Sequence, residues 1–348
     1  MPAASPFPAR HELMSRRRLT QRQRARIQAI QEQRREQAAR RAQQSIETAG
    51  ERPARNGRVI VRHGASLAVE DDQGGIYRCL TRQNIGHPVC GDRVVWQPVD
   101  AHSGVVTALL PRQSLLSRPD FNGHEKPLAA NISQLVVVLA PSPEPSGYLL
   151  DQYLVSAETI QVRPLIAINK IDLLDRGEQA GFLRRFAGYP KIGYPLVAVS
   201  AREGQGMQGL IDHLKGQTSI LVGQSGVGKS SLINTLLPRL GLQTGRLSEA
   251  TGLGRHTTSA ATCYHLPQGG DLIDSPGVRS FRLSHLSFQQ LERGFREFRP
   301  YLGGCRFSDC THTHEPACAI REAVEQGGIR AERLEHFQHL AQGLAGHG

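Results

Sequence analysis

The sequence predicts a multidomain chain: a small β-barrel, then a parallel α/β sheet covered on both faces, then a helical segment carrying a Cys/His cluster. Three observations support this. Five short β-rich runs crowd between positions 58 and 110, apolar runs alternate with helical stretches from position 135, and three of the six cysteines fall between 305 and 318. The length of 348 residues agrees, since about 150 residues per domain is usual.

A basic arm comes first. The chain carries 42 Lys and Arg against 31 Asp and Glu, a net charge of +11, and residues 1–50 hold eleven arginines, no lysine and four glutamates. Such a block reads as an arm for a polyanion, with nucleic acid the commonest choice. A solvated tail and an organelle transit peptide share that composition. Residues 1–56 lack an apolar face wide enough for a core, although Arg and Ala favour a helix that forms on binding. The longest apolar run, 135–140, is far short of the ~20 residues a membrane-spanning helix needs. The first thirty residues contain no apolar stretch of the secretory-signal kind.

Strands are expected at 58–63, 66–70, 75–80, 92–97 and 104–110, separated by turn formers such as Asp71-Asp72-Gln73-Gly74-Gly75. Five strands of this length suggest a closed barrel, and the OB-fold is the five-stranded version that commonly binds oligonucleotides. Any small barrel or sandwich would give the same pattern. From 135 the period changes, with strands expected at 135–140, 165–169, 196–200, 219–222, 261–266 and 271–274. Helices are expected at 149–159, 177–187, 208–214 and 230–237. Apolar strands alternating with helices mean a parallel sheet.

Gly223-Gln224-Ser225-Gly226-Val227-Gly228-Lys229-Ser230 satisfies G-x-x-x-x-G-K-[ST], follows an apolar strand and runs through Ser231 into a helix, the context of a P-loop. Inward-turned backbone N–H groups and the helix N-terminus would cradle phosphates. Lys229 would reach the β- and γ-phosphates, and the Ser230 hydroxyl would ligate Mg2+. Asn169-Lys170-Ile171-Asp172 ends another strand, where open sheets bind ligands. An ionised carboxylate only accepts hydrogen bonds, so Asp172 matches the two donors on guanine's edge, a pair adenine lacks. Asn169 acts as a polar tether, the Lys170 stem covers the base, and Ser200-Ala201 offers N–H groups to the guanine carbonyl. In Asp274-Ser275-Pro276-Gly277, Asp274 would hold Mg2+ through water and the Gly277 N–H would meet the γ-phosphate. Threonines in Thr251-Gly252-Leu253-Gly254-Arg255-His256-Thr257-Thr258 are candidates to complete the Mg2+ shell in a GTP-ordered switch.

Cys305-x4-Cys310-x-His312-x5-Cys318 offers the thiolates and imidazole that suit tetrahedral zinc, and Cys3His is a closed structural set. The spacing is not that of a standard finger, so loosely grouped thiols remain the alternative, and His314 competes with the preferred His312. Cys79, Cys90 and Cys263 read as buried thiols.

The guanine motif precedes the P-loop here, the reverse of the Ras-like order. With that order, Gly91-Asp92-Arg93-Val94, the helix at 149–155, N-K-I-D, G-Q-S-G-V-G-K-S-S-L-I-N, G-R-H-T-T, D-S-P-G-V-R and the Cys/His cluster, the chain resembles the circularly permuted, small-subunit-dependent bacterial GTPases of RsgA type over roughly 58–320. The resemblance implies an N-terminal OB-fold barrel (57–116) after the arm (1–56), a circularly permuted α/β P-loop GTPase (117–280) and a C-terminal α-helical zinc-binding domain (281–348). It further implies GTP hydrolysis stimulated by the small ribosomal subunit, rRNA contact, Mg2+ with GTP, one structural Zn2+, and a cytoplasmic monomer without membrane contact. Val278 after D-x-x-G departs from Ras-like logic, since it cannot orient a water as a Gln would, and the resemblance implies His256 as the suspected water-positioning residue. Thr258 becomes the switch threonine. Two alternatives stay open: a P-loop ATPase or kinase, and a passive rRNA-binding scaffold with a vestigial site.

Overall fold

A computed structural model describes residues 52–82, 84–119, 125–251, 261–275 and 286–345. Residues 1–51 of the basic arm, His256, Thr258 and Gly277 lie outside the described residues.

Strands β1 (Arg55–His63), β2 (Ser66–Asp71), β3 (Ile76–Thr81), β4 (Arg93–Pro98) and β5 (Ser103–Leu109) form the barrel. Neighbours pair in the order β1-β2-β3-β5-β4, and β4 returns to β1 to close it. Its interior is Val59, Leu67, Val69, Cys79, Val94, Trp96 and Val106. Trp96 needs room: a Cβ on Gly104 would stand 2.5 Å from its ring, so only glycine lets β5 pass so close. Asp92, expected to open a strand, instead lies just before β4. Its buried carboxylate is caught by Arg112 at 2.8 Å on both oxygens and by the Val89 N–H at 2.7 Å.

A hairpin of β6 (Leu115–Pro119) and β7 (Glu125–Ala130) follows, which the sequence pattern does not announce. Then come β8 (Gln134–Leu139), β9 (Arg163–Ile168), β10 (Leu196–Ala198), β11 (Thr218–Val222), β12 (Thr262–His265) and β13 (Asp271–Asp274), ordered β10-β9-β8-β11-β13-β12. All pair in parallel except β12 on β13. The apolar run 135–140 serves both faces because side chains alternate. Leu135, Val137 and Leu139 enter one core, and Val136, Val138 and Ala140 the other.

Helices α1 (Gly147–Thr159), α2 (Arg176–Arg184), α3 (Gly188–Lys191), α4 (Met207–Leu214) and α5 (Lys229–Leu236) cover this sheet, and α6 (Leu240–Thr251) also lies against β2 and β3 of the barrel. The helix expected over 177–187 is α2 and ends at Arg184, and neither α3 nor α6 has a counterpart among the expected helices. Capping is local: Ser146 Oγ accepts from Leu149 N–H at 3.2 Å, and Asp175 with Glu178 forms a capping box. No described helix is long and apolar enough to cross a membrane.

The barrel meets the sheet edge where Val61 of β1 pairs with Thr262 of β12. Beside that bridge, His265 stands between Asp271 and Glu70, whose carboxylates push its imidazole up to about 10, so it is a cation at neutral pH. At the other side, α7 (Phe288–Gly294), α8 (Ala319–Glu325) and α9 (Ala331–Ala345) build a small core around Leu291, Phe295, Phe298, Ile320 and Phe337. This segment is locked to α1 by buried Asp151. Its carboxylate accepts from Tyr189 Oη at 2.7 Å, contacts His336 Nδ1 at 2.6 Å and pairs with Arg333, which also holds Glu297. Unpaired, a buried charge of this kind would cost several kcal/mol, so these donors hold the junction in one arrangement.

Candidate nucleotide site and metal cluster

Four loops converge at the C-terminal ends of β9, β10, β11 and β13, the crevice where open α/β sheets take ligands. Asn169 ties three of them together. Buried at 1% exposure, it donates from Nδ2 to Val227 O at 2.9 Å and accepts at Oδ1 from the Ala201 N–H at 3.1 Å. The side chain that the sequence marks as a tether thus holds the P-loop against the Ser200-Ala201 loop. Asp172 presents a half-buried carboxylate beside it, and one of its oxygens accepts from Ser200 Oγ at 2.5 Å. Ser200 is itself wholly buried. Lys170, in a left-handed conformation, reaches across to Ser142 O at 3.2 Å, while Ile171 anchors the turn in the core.

Replacing Asp172 with Asn tests the reading of this carboxylate. Guanine donates from both its N1 and its amine, whereas xanthine carries a carbonyl where guanine has the amine. With two charge-assisted bonds at stake, GTP affinity should fall about 10²–10⁴-fold in Asp172→Asn. Affinity for xanthosine triphosphate should rise. Competition binding of the two nucleotides measures both, and an unchanged preference for GTP would overturn the assignment.

The P-loop turns at Gly223, Gly226 and Gly228, with φ of 140°, 85° and 90°. Gly223 is held to glycine by sterics, since a Cβ there would lie 2.3 Å from Val138 O. Helix α5 opens at Lys229 directly after Gly228, so its free N–H groups face the crevice. Val227 is buried as an anchor, while Ser225, Ser230 and Ser231 are exposed at the crevice. Lys229 Nζ donates to the carbonyls of Gly223 and Gln224, both at 2.7 Å, which holds the ammonium over the loop. Gln224 contributes a buried Oε1 without a hydrogen-bond partner among the described residues. Asp274 ends β13 nearby. Burial holds its carboxyl above the usual range, and the Lys229 ammonium pulls it back down. A divalent cation would relieve the same desolvation, so Asp274 and Ser230 fit Mg2+.

One support was not legible. Tyr153, buried on α1, takes the Gly223 backbone N–H on its hydroxyl. In the sequence it reads only as one apolar position of a core helix.

The metal cluster lies between α7 and α8. One ligand atom each from Cys305, Cys310, His312 and Cys318 gathers within 4.8 Å. His312 Nδ1 stands 3.6, 3.5 and 3.2 Å from the sulfurs of Cys305, Cys310 and Cys318, and Cys305 and Cys318 are 3.9 Å apart. Ligands around tetrahedral zinc, with arms of ~2.3 Å to sulfur and ~2.0 Å to nitrogen, stand about 3.5–3.8 Å apart. The set fits zinc. Burial also pushes the Cys310 and Cys318 thiols up, so only a bound cation would hold them as thiolates near neutral pH. His314 is turned away, exposed, with Nδ1 2.9 Å from Thr313 Oγ1. Glu292 on α7, which no spacing rule indicates, lies 2.7 Å from His312 Nε2 and thereby orients Nδ1 toward the sulfurs.

Comparison with known proteins agrees with this geometry. The sequence model of the RsgA GTPase family matches residues 109–284. The small ribosomal subunit biogenesis GTPase RsgA of Azotobacter vinelandii is 47% identical over 338 residues, covering 95% of this chain and 98% of its own. A protein of the same name from Pseudomonas aeruginosa is 46% identical over 330 residues, covering 94% and 97%. The crystal structure of YjeQ from Thermotoga maritima superposes with a TM-score of 0.71 at 34% identity, over 84% of this chain and 99% of its own. YloQ, described as a circularly permuted GTPase, superposes with a TM-score of 0.69 at 27% identity, over 85% and 96%. Here too the strand that leads into N-K-I-D precedes the strand that leads into the P-loop. With the permuted order, the Asn169-centred crevice and near-full-length identity in agreement, the chain belongs to the RsgA GTPase family.

Proposed function

We propose that this protein hydrolyses GTP during late maturation of the small ribosomal subunit, docks on its rRNA, and leaves after hydrolysis. The observation that carries the nucleotide half is Asn169, which joins the guanine motif, the Ser200-Ala201 loop and the P-loop into one crevice. The subunit half rests on the relatives, which are named small ribosomal subunit biogenesis GTPases.

In this reading Asp172 takes the guanine edge, Lys170 covers the base, and Ala201 meets the guanine carbonyl. Residues Gly223 to Ser231 wrap the phosphates, with Lys229 moving from its loop carbonyls to the β- and γ-oxygens. Mg2+ would supply charge neutralisation for the phosphates, and Ser230, Thr258 and Asp274 are the residues that would hold it. The Gly277 N–H meets the γ-phosphate and His256 positions the attacking water. Cys305, Cys310, His312 and Cys318 would hold Zn2+ in a structural role, since four protein ligands make a closed set.

Charge supports the rRNA contact. Besides the arm, a cleft of about 590 Å3 between barrel and hairpin is lined by Arg62, His63, His87, Arg118 and Lys126, with Glu125 among them. Contacts of this kind make binding weaken steeply with salt. The protein would act as a cytoplasmic monomer, where small subunits mature. GTP turnover measured with and without purified small subunits tests the reading. Turnover should rise when subunits are added. An unchanged rate would remove the ribosomal half and leave the GTPase.

A further inference from the structure

The β12–β13 hairpin is gripped by the barrel at two points. Near its open end, Thr262 pairs with Val61. At its turn, four charged groups alternate across the junction. His265 Nε2 is 2.9 Å from both Glu70 oxygens on β2, and its Nδ1 is 2.7 Å from Asp271 Oδ1. Arg58 on β1 reaches the other Asp271 oxygen at 2.5 Å and Thr218 Oγ1 on β11 at 3.4 Å. Gln243 of α6 holds the backbone of His265, accepting from its main-chain N–H at 3.2 Å and donating to its main-chain carbonyl at 3.0 Å.

Each body thus contributes one cation and one carboxylate: Arg58 and Glu70 from the barrel, His265 and Asp271 from the hairpin. The carboxylates are well buried, with side chains 15% exposed at Glu70 and 17% at Asp271. Sliding the barrel along the sheet edge would part both pairs that cross it, Arg58–Asp271 and His265–Glu70, so the joint resists shear. Asp271 begins the strand that ends at Asp274. An extended strand is stiff along its axis, and three residues span only about 10 Å. A displacement imposed on Asp271 is therefore delivered to the carboxylate beside Lys229.

We propose that Arg58, Glu70, His265 and Asp271 are positioning residues for stimulated hydrolysis, forming the joint through which docking of the barrel is transmitted to Asp274. The inference rests on the proposed stimulation by small subunits and names the route it takes. The covalent path from barrel to sheet runs through the β6–β7 hairpin to β8, which is separated from β13 by β11. The charge quartet links barrel and β13 directly. None of its members touches the nucleotide crevice.

The test uses the full-length, zinc-loaded chain with Glu70→Gln, His265→Gln, the double variant and His265→Lys. Basal turnover, KM for GTP, small-subunit affinity and subunit-stimulated kcat are measured for each. Stimulated kcat should fall about two- to thirty-fold in the Gln variants, the span that coupling substitutions produce, with the other three quantities unchanged. The double variant should be no worse than His265→Gln alone, and His265→Lys, which restores a cation between the carboxylates, should recover stimulation. Full stimulation in all variants would overturn the inference. So would an equal fall in basal turnover, which marks a merely structural role. Glu70→Gln alters only the barrel, so it reports even if the His265 variants fold poorly. Wild-type protein without stimulation would instead fail the proposed function, a result read before any variant.

Discussion

Lys229→Ala should reduce GTP turnover by at least ~10²–10³-fold, the usual cost of removing one group that stabilises developing charge in a transition state. The size of the effect follows from position. The ammonium is held over the loop by the Gly223 and Gln224 carbonyls and is close enough to Asp274 to offset part of the burial that raises its carboxyl. No other cation in Gly223–Ser231 can replace it. The fold should survive, because the freed carbonyls face the open crevice and can bond water. Single-turnover hydrolysis, with thermal unfolding as a control, checks this. Turnover within a few-fold of wild type would mean that the crevice binds nucleotide without acting on it, the scaffold alternative that the intact Lys229 and Ser230 argue against.

Removing the metal should have the larger structural effect. Structural zinc is worth roughly 10–16 kcal/mol in small domains, as much as a whole domain's ordinary stability of about 5–15 kcal/mol. Cys318→Ala, or a strong chelator, should therefore unfold residues from about α7 onward while the parallel sheet stays folded. Calorimetry should show the transition of the C-terminal segment lost, and metal analysis of the wild type should find one zinc per chain. Glu292→Gln should be milder, weakening zinc binding about 10–100-fold by loosening the orientation of His312. A C-terminal transition unmoved by chelation would sink the zinc assignment.

What the sequence shows well is chemistry confined to a few neighbouring residues. The P-loop, N-K-I-D and the Cys/His run are local because a phosphate, a base edge or a metal ion draws its ligands from one or two turns of chain. The continuous run 135–140 is legible for a related reason: a strand buried on both faces has no polar alternation. By contrast the β6–β7 hairpin and α6 are missed. Pro119 and Pro127 interrupt the strand pattern of the hairpin, and α6 carries glycines at 241 and 245 that weaken a helical signal.

By itself, then, the sequence determined the order of the domains, the nucleotide class, the permuted layout and the four candidate zinc ligands. Tertiary structure alone decided which distant partners complete them: Tyr153 under Gly223, Glu292 behind His312, Asp151 against Arg333, and the joint between Glu70 and His265, 195 residues apart. The physical reason is one of specificity. A loop that cradles phosphate needs particular residues at particular spacing, whereas a buried ion pair needs only opposite charges brought together by the fold, and 31 acids and 42 bases offer the chain too many such pairings for spacing to choose among them.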